Sequence, residues 1–385
     1  MVKEVTLTPI LLPITDGPHR MVVDENSNYV FISCKKSNSI VVIDGLNNRI
    51  KQTIEVKSPD DLKFDKNSSI LYVRSKDQIY TIDIGTNSKL SINNSFSVRA
   101  DGEMVLDSAR NLLYIYHKSY ASMDVIEANS GKLLKVMGTK EKSWGMAIDS
   151  HTNKMYVSNV TWWDNIVIDL NNGKFVGKLL LPEDYPRKHF MDPRDYVDWF
   201  NRKILVDEIG KRVLIIYPFL RETTSSAVTD IAIGGIAAAA RLAGVDIPRS
   251  LLRTGVPIDW STKGELLAIY DSTKDALISS NLFDGMTEMC INSNNSKTYV
   301  HVPFNNRIYV LDMDGKIIES MIITKTLDPK AAVNDSNIRI HMEDLAFPLN
   351  KNSRYGFEVH SKLNKIYLTI EGKSQDFLAI FSLTG

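Results

Sequence analysis

Short apolar runs alternate with polar turns along this chain, and the alternation returns at a spacing of roughly 40 residues. Units of this kind open at "RMVVDENSNYVFIS", "DLKFDKNSSILYVR", "EMVLDSARNLLYIY", "GMAIDSHTNKMYVS", "ILVDEIGKRVLIIY", "EMCINSNNSKTYVH" and "FEVHSKLNKIYLTI". Each reads as an apolar strand, a turn rich in Asn, Asp, Ser or Lys, and a second strand heavy in Tyr, Val, Ile and Leu. A third run follows in "SIVVIDG", "QIYTIDI" and "RIYVLDM", and a fourth, more strictly alternating, in "NNRIKQTIEV" and "DGKIIESMII". Near-continuous apolar strands beside alternating ones predict sheets buried on both faces at their centres and wetted at one edge.

One twisted sheet of this size cannot bury both faces alone. Radial packing gives every sheet a neighbour on either side and leaves only short edges exposed. The pattern therefore predicts an all-β chain: a seven-bladed β-propeller of four-stranded antiparallel sheets, one domain over residues 1–385. Eight blades are the alternative, because Val256 to Ser280 either completes the unit opened at Ile204 or forms a degenerate blade of its own. The last unit lacks a fourth strand, and the N-terminal "VTLTPILL" is expected to supply it and clasp the ring. Insertions interrupt the repeat at about 182–202 and 221–253, and the Ala-rich "GGIAAAARLAG" in the second predicts a helix near 225–253.

Aspartates recur where strands end. Asp24, Asp65, Asp107 and Asp149 close first strands, and Asp44, Asp83, Asp169 and Asp312 close third strands. A carboxylate in that position accepts backbone N–H bonds and holds an Asx-type turn, so turn capping rather than catalysis is the expected role.

Charge and composition narrow the classes. Lys plus Arg equals Asp plus Glu, 46 against 46, which argues against the basic face that nucleic acid requires. The most apolar stretch, "IAIGGIAAAA", stops at Arg241 after about half a membrane span, so no transmembrane segment is expected. "MVKEVTLTPILLPITDG" has neither the apolar core nor the cleavage site of a signal peptide, which for the chain as it stands predicts a cytoplasmic setting. Cys34 and Cys290 are too few for a disulfide framework and are expected as small buried side chains.

Within "KMYVSNVTWWDNIVIDLNNGKFVGKL", Tyr156-Val157-Ser158-Asn159 resembles the Tyr-Val-Thr-Asn signature of the YVTN β-propeller repeat family. "NIVIDLNNGK" is similar to that family's third strand and turn, and "KTYVHVPFNNRIYVLDMDGK" repeats the order. The resemblance covers most of the chain outside the insertions. It implies a ring of blades and an extracytoplasmic or cell-surface setting. The family spans surface-layer and periplasmic proteins, redox subunits, and relatives acting as lactonases or lyases, so no catalytic residue transfers with it.

Propellers bind ligands around the central channel, on the face whose loops lead into the innermost strands. Here those loops carry His19, Arg20, Asp61, Glu103, Trp144, Glu288 and Arg354 as ligand-binding candidates, with Asp60, Arg99, Asp101 and Tyr355 beside them. Asp61, Glu103 and Glu288 are the oxygen donors that calcium or magnesium would need, and His19 is the candidate general base. The plainer expectation is a solvated rim whose acids and bases pair. His301 and His360 fall inside strand-like runs and read as structural. "HMED" at His341 reads as a turn, and the tandem Trp162 and Trp163 extend a loop. Neither a zincin helix motif nor a nucleophile elbow is present.

Two functions follow. The favoured one is a non-enzymatic binding or scaffold module presenting loops and a helical insertion to a protein or small-molecule partner, with no cofactor and no nucleic acid. The alternative is a metal-dependent hydrolase or lyase at the channel mouth, similar to the lactonase and streptogramin-lyase propellers. "GPHRMVVD" resembles the Pro-His-Gly opening of the lyase repeats, with Arg20 in place of the glycine. The oligomeric state is not written in the pattern.

Overall fold

The computed structural model describes residues 2–85, 89–117, 119–139, 143–159, 165–180, 203–220, 263–284, 288–323, 356–370 and 375–383. Among them are 29 strands arranged as seven sheets. Two precede the first blade, β1 (Lys3–Leu7) and β2 (Ile10–Ile14). Blade I comprises β3 (Pro18–Asp24), β4 (Tyr29–Cys34), β5 (Ser39–Asp44) and β6 (Arg49–Glu55). Blade II follows with β7 (Asp61–Asp65), β8 (Ile70–Ser75), β9 (Gln78–Asp83) and β10 (Ile92–Ser97). Blade III holds β11 (Met104–Asp107), β12 (Leu112–Tyr116), β13 (Ser122–Glu127) and β14 (Leu133–Gly138). Blade IV holds β15 (Ser143–Asp149), β16 (Lys154–Asn159), β17 (Asn165–Asp169) and β18 (Lys174–Leu179). Blade V is built from β19 (Ile204–Asp207), β20 (Arg212–Leu220), β21 (Lys263–Asp271) and β22 (Ala276–Asp284). Blade VI has β23 (Glu288–Asn292), β24 (Lys297–Val302), β25 (Arg307–Leu311) and β26 (Ile317–Ile323). Blade VII supplies β27 (Phe357–His360), β28 (Lys365–Ile370) and β29 (Asp376–Ser382).

Each blade is an antiparallel meander running from the axis outward, so the ring is the seven-bladed propeller that the repeat predicts. The stretch from Val256 to Ser280 gives no blade of its own: β21 and most of β22 lie in it and complete blade V. The core is not central but lies between blades. Seven apolar clusters fill the seven blade-to-blade interfaces. Between blades I and II, Phe31, Ile40 and Val42 meet Leu71, Val73 and Ile82. Between blades VII and I, Tyr367, Leu378 and Ile380 meet Met21, Val30 and Ile32, which closes the circle. Each such side chain, fully buried, is worth roughly 1.5–3 kcal/mol.

The clasp departs from expectation. "VTLTPILL" is not one strand, because the chain breaks at Thr8 and Pro9, and proline has no N–H with which to continue a ladder. Beyond the break, β2 pairs antiparallel with β29 (Ile10 opposite Ile380, Ile14 opposite Asp376) and supplies the missing fourth strand of blade VII. Before it, β1 runs parallel beside β26, from Lys3 opposite Glu319 to Leu7 opposite Ile323, and makes blade VI five-stranded.

Turn chemistry follows the sequence closely. All eight recurring aspartates accept backbone N–H bonds from residues two or three ahead, at 2.8–3.1 Å. Four residues after each first-strand terminus the backbone is left-handed, at Asn28, Ser69, Asn111, Asn153, Lys211, Ser296 and Asn364 (φ 48–61°). Asn tolerates that region better than other side chains, which is why it recurs there. Cys34 and Cys290 are buried and unbridged. The two insertions, the helix expected near 225–253, Trp162, Trp163 and His341 lie outside the described residues. Among the described residues no helix is long and apolar enough to cross a membrane.

Candidate functional site

Each innermost strand ends on a turn residue: Asp24, Asp65, Asp107, Asp149, Asp207, Asn292 and His360. Counting back from these residues puts the seven blades in one register. The third residue before the turn is apolar and core in every blade, Met21, Leu62, Met104 and Phe357 among them, none more than 7% exposed. Strand alternation turns the residues on either side of it the other way, toward the axis. The fourth residue before the turn is charged in five blades (Arg20, Asp61, Glu103, Lys203, Glu288) and glycine in two (Gly145, Gly356). All seven border a central cavity of about 620 Å³.

The charges of this ring answer one another. Arg20 Nη2 donates to Glu103 Oε1 across from blade I to blade III. Lys203 Nζ donates to Glu288 Oε2 at 2.8 Å and to the Met289 carbonyl at 2.7 Å, joining blades V and VI. Asp61 Oδ1 lies 3.1 Å from Lys63 Nζ, while its Oδ2 accepts the Met104 N–H at 2.9 Å. Burial opposes the Asp61 charge, but Lys63, Arg20 and Arg74 outweigh it and bring the carboxyl down to about 2. Burial likewise works against Arg20, and Glu103, Asp61 and Glu288 more than restore the charge, raising its pKa above the ordinary value. For Lys203 the same contest, with Glu288 and Glu358 on the raising side, also ends above the ordinary value. The ring thus holds two ion pairs, Arg20–Glu103 and Lys203–Glu288, and Asp61, whose cation Lys63 stands one level deeper.

One level deeper, two residues before the turn, most blades are apolar: Val22, Val105, Ala147, Leu205 and Cys290. Lys63 and Glu358 interrupt that belt, and both line the cavity. Burial pushes the Glu358 carboxyl up to about 7; Glu288 acts in the same direction, against Lys203, Lys63 and Arg20.

Four of the residues singled out in the sequence, Arg20, Asp61, Glu103 and Glu288, therefore meet in one ring. Each acid of the expected metal set has a cationic neighbour, and among the described residues no three His, Cys, Asp or Glu side chains gather as a metal site. His19 is half-buried in a bulge of β3, one residue before Arg20 and outside the cavity wall. Trp144 occupies the corresponding irregularity of β15, between Ser143 and Gly145. Arg354 and Tyr355 lie outside the described residues. Asp60 pairs with Arg74 at 3.0 Å and Arg99 faces Asp124 at 3.8 Å.

Sequence reading missed Lys203, Lys63 and Glu358. Lys203 directly follows an insertion, which hides it from any comparison of loops. Its signal was its place four residues before Asp207. Glu358 was hidden because His360 stands where the other blades carry Asp or Asn, so nothing marked the strand's end.

Neither a family model nor a curated protein sequence matches the chain. Solved structures do. The chain superposes on the hydrazine synthase of Kuenenia stuttgartiensis with a TM-score of 0.60 at 11% identity, covering 96% of both chains. It also superposes on the Cps50 (Swd1) β-propeller domain of Myceliophteria thermophila with a TM-score of 0.58 at 8% identity, over 98% of this chain and 100% of that one. The likeness is one of fold. At such identities the propeller is shared and the chemistry of its channel is not implied.

Proposed function

We propose that this chain is a rigid, non-enzymatic binding module that receives a small polar ligand, or the tip of a protein partner, at the charged mouth of its central channel. The ring carries this reading: five ionised side chains from five blades, set at one level by a common strand register around about 620 Å³ of space. Side chains mounted on packed strands are already ordered, so a ligand exchanging into their hydrogen bonds loses little to organising the site. Their mutual pairing suits recognition, since each acid is held as a charged acceptor rather than as a free nucleophile.

A thermal-shift screen of small amines, carboxylates and sugars tests it. A ligand present at a hundred times its Kd adds about 2.7 kcal/mol of apparent stability, well within detection. The double variant Arg20→Met/Glu103→Leu removes one ion pair without orphaning either charge, and Lys135→Met on the exposed outer strand β14 is the control. At least one class of compound should raise the Tm of the parent and the control but not of the double variant. Equal shifts in all three proteins would refute the channel site. Lactone hydrolysis that disappears with the double variant would replace binding by catalysis.

A further inference from the structure

Lys63 and Glu358 both break the apolar belt below the ring, but only one of them is answered. Lys63 has Asp61, two residues away on its own strand. No described residue sends a hydrogen bond or ion pair to the Glu358 carboxylate. The cations near it are engaged elsewhere: Arg20 with Glu103, and Lys203 with Glu288 and the Met289 carbonyl. Glu358 is thus a half-buried carboxyl on the wall of an open cavity, with Val22 and Leu205 at its own level.

We infer that Glu358 anchors a site for a small organic cation, a primary ammonium on a short alkyl chain, whose charged end meets Glu358 and whose chain lies along Val22 and Leu205. This rests on the channel being a binding site and names the class of ligand it takes. Calcium seeks six to eight oxygens and magnesium six, whereas this level offers one uncommitted carboxylate among apolar and cationic side chains. Of the charged groups at and just below the ring, the four carboxyls Asp61, Glu103, Glu288 and Glu358 outnumber the three cations Arg20, Lys63 and Lys203. One added cation balances the set, and an anion would add to the excess. An ammonium needs only a few acceptors and leaves the rest of its surface for apolar contact.

The groups facing Glu358 are Arg20 on β3, Lys63 on β7, Lys203 ahead of β19, and Glu288 and Cys290 on β23, with Tyr367 paired opposite on β28. With its carboxyl raised to about 7, Glu358 is half ionised at neutrality, so an arriving cation must displace the remaining proton. Affinity should therefore climb with pH across that range.

Isothermal titration of the full chain with n-butylammonium chloride tests the inference, with sodium acetate and 1-butanol as anionic and neutral probes. Butylammonium should bind about tenfold more tightly at pH 8 than at pH 6 and release protons near pH 7. Glu358→Gln should weaken it at least tenfold and abolish the proton release, while Glu358→Asp keeps the pH dependence. Should Glu358→Gln fail to fold, the pH dependence and proton release of the parent protein decide. Affinity indifferent to pH, or unchanged in a folded Glu358→Gln, overturns the assignment. If acetate or butanol binds in the channel and butylammonium does not, the cation assignment falls while the binding-module reading stands. If nothing binds, here or in the wider screen, both fall.

Discussion

His301 lies within β24 with its ring 5.5 Å from that of Phe357, and burial drives its pKa down to about 3. In the unfolded chain a histidine titrates near 6.5. Between those values the unfolded state binds more protons, so stability falls as pH drops through the window, by up to about 1.4 kcal/mol per unit. His360 adds to the loss. Burial lowers its pKa, with Lys365 and Lys362 assisting and Glu25 opposing, and its Nδ1 accepts the Leu363 N–H at 3.4 Å, as the turn aspartates do elsewhere. Glu358 acts in the opposite sense. Its pKa is raised from 4.5 to about 7, so the penalty for its charge is complete above about pH 7 and is relieved as pH falls toward 4.5. Discounted for partial solvent access, that penalty is about 1–2 kcal/mol. Glu358→Gln should therefore stabilise the protein by about that amount at pH 8 and by almost nothing at pH 4, as measured by urea unfolding. His301→Gln should flatten the slope below pH 6.5. An equal effect of Glu358→Gln at both pH values would show that its carboxyl does not titrate abnormally. Both histidines were legible as structural from their strand positions, whereas their shared antagonism with Glu358 depends on which blades close around them.

Between elements, the second strand of a blade does the tying. Tyr156 donates its hydroxyl to the Ser272 carbonyl of blade V at 3.1 Å, and Lys154 reaches the same carbonyl at 2.9 Å and Asp275 at 2.8 Å. Tyr72 reaches Asn129 of blade III at 3.0 Å, and Lys365 reaches Gly45 and Asn48 of blade I. A tyrosine in this position fills the interface with its ring and fastens the neighbouring turn with its hydroxyl, which accounts for its recurrence in the repeat. Blade V uses Arg212 instead. Only 1% exposed, Arg212 holds Asp207 at 2.6 Å and donates to the carbonyls of Asp312 (3.1 Å), Met313 (2.9 Å) and Ser296 in blade VI. Arg212→Met leaves Asp207 charged and buried, so a loss of about 3–5 kcal/mol in urea unfolding is expected. Adding Asp207→Asn should return part of it, and Tyr156→Phe should cost about 1 kcal/mol. Additivity of the Arg212 and Asp207 substitutions would refute the buried pair. The aspartate turns were readable because each bond spans two or three residues. Arg212 was not, because its carbonyl partners in blade VI are far along the chain and its local sequence is that of any turn cation.

At the scale of the ring, the first strands decide whether the circle holds. That the chain's start should complete its last blade could be read from the missing fourth strand, a count that needs no coordinates. The division of labour at Pro9 could not, since nothing in the local pattern tells a parallel partner from an antiparallel one. It sets up a clean experiment. Deleting residues 1–8 removes β1, the Arg307–Glu4 pair and the exposed Lys3–Glu319 pair, worth about 0–1 kcal/mol each. It also takes the buried Leu7 out of the interface between blades VI and VII at about 1.5–3 kcal/mol, so a moderate loss of about 2–4 kcal/mol is expected. Deleting residues 1–15 also removes β2, taking the buried Leu11 and Ile14 out of the interfaces around blade VII at about 1.5–3 kcal/mol each and baring the edge of β29. That loss approaches the whole stability of an ordinary domain, so the longer deletion should melt far lower and associate through its open edge on size-exclusion chromatography. The two deletions also separate closure from binding. Gly17 donates its N–H to Asp376 Oδ2 at 2.7 Å, fixing the segment that leads from β2 to Arg20 at the channel mouth. The shorter deletion should therefore keep the parent's affinity for any channel ligand, and the longer one should lose it even at temperatures where it remains folded. Full binding by the longer deletion would mean that the mouth is shaped by the blades alone, with the clasp serving stability only.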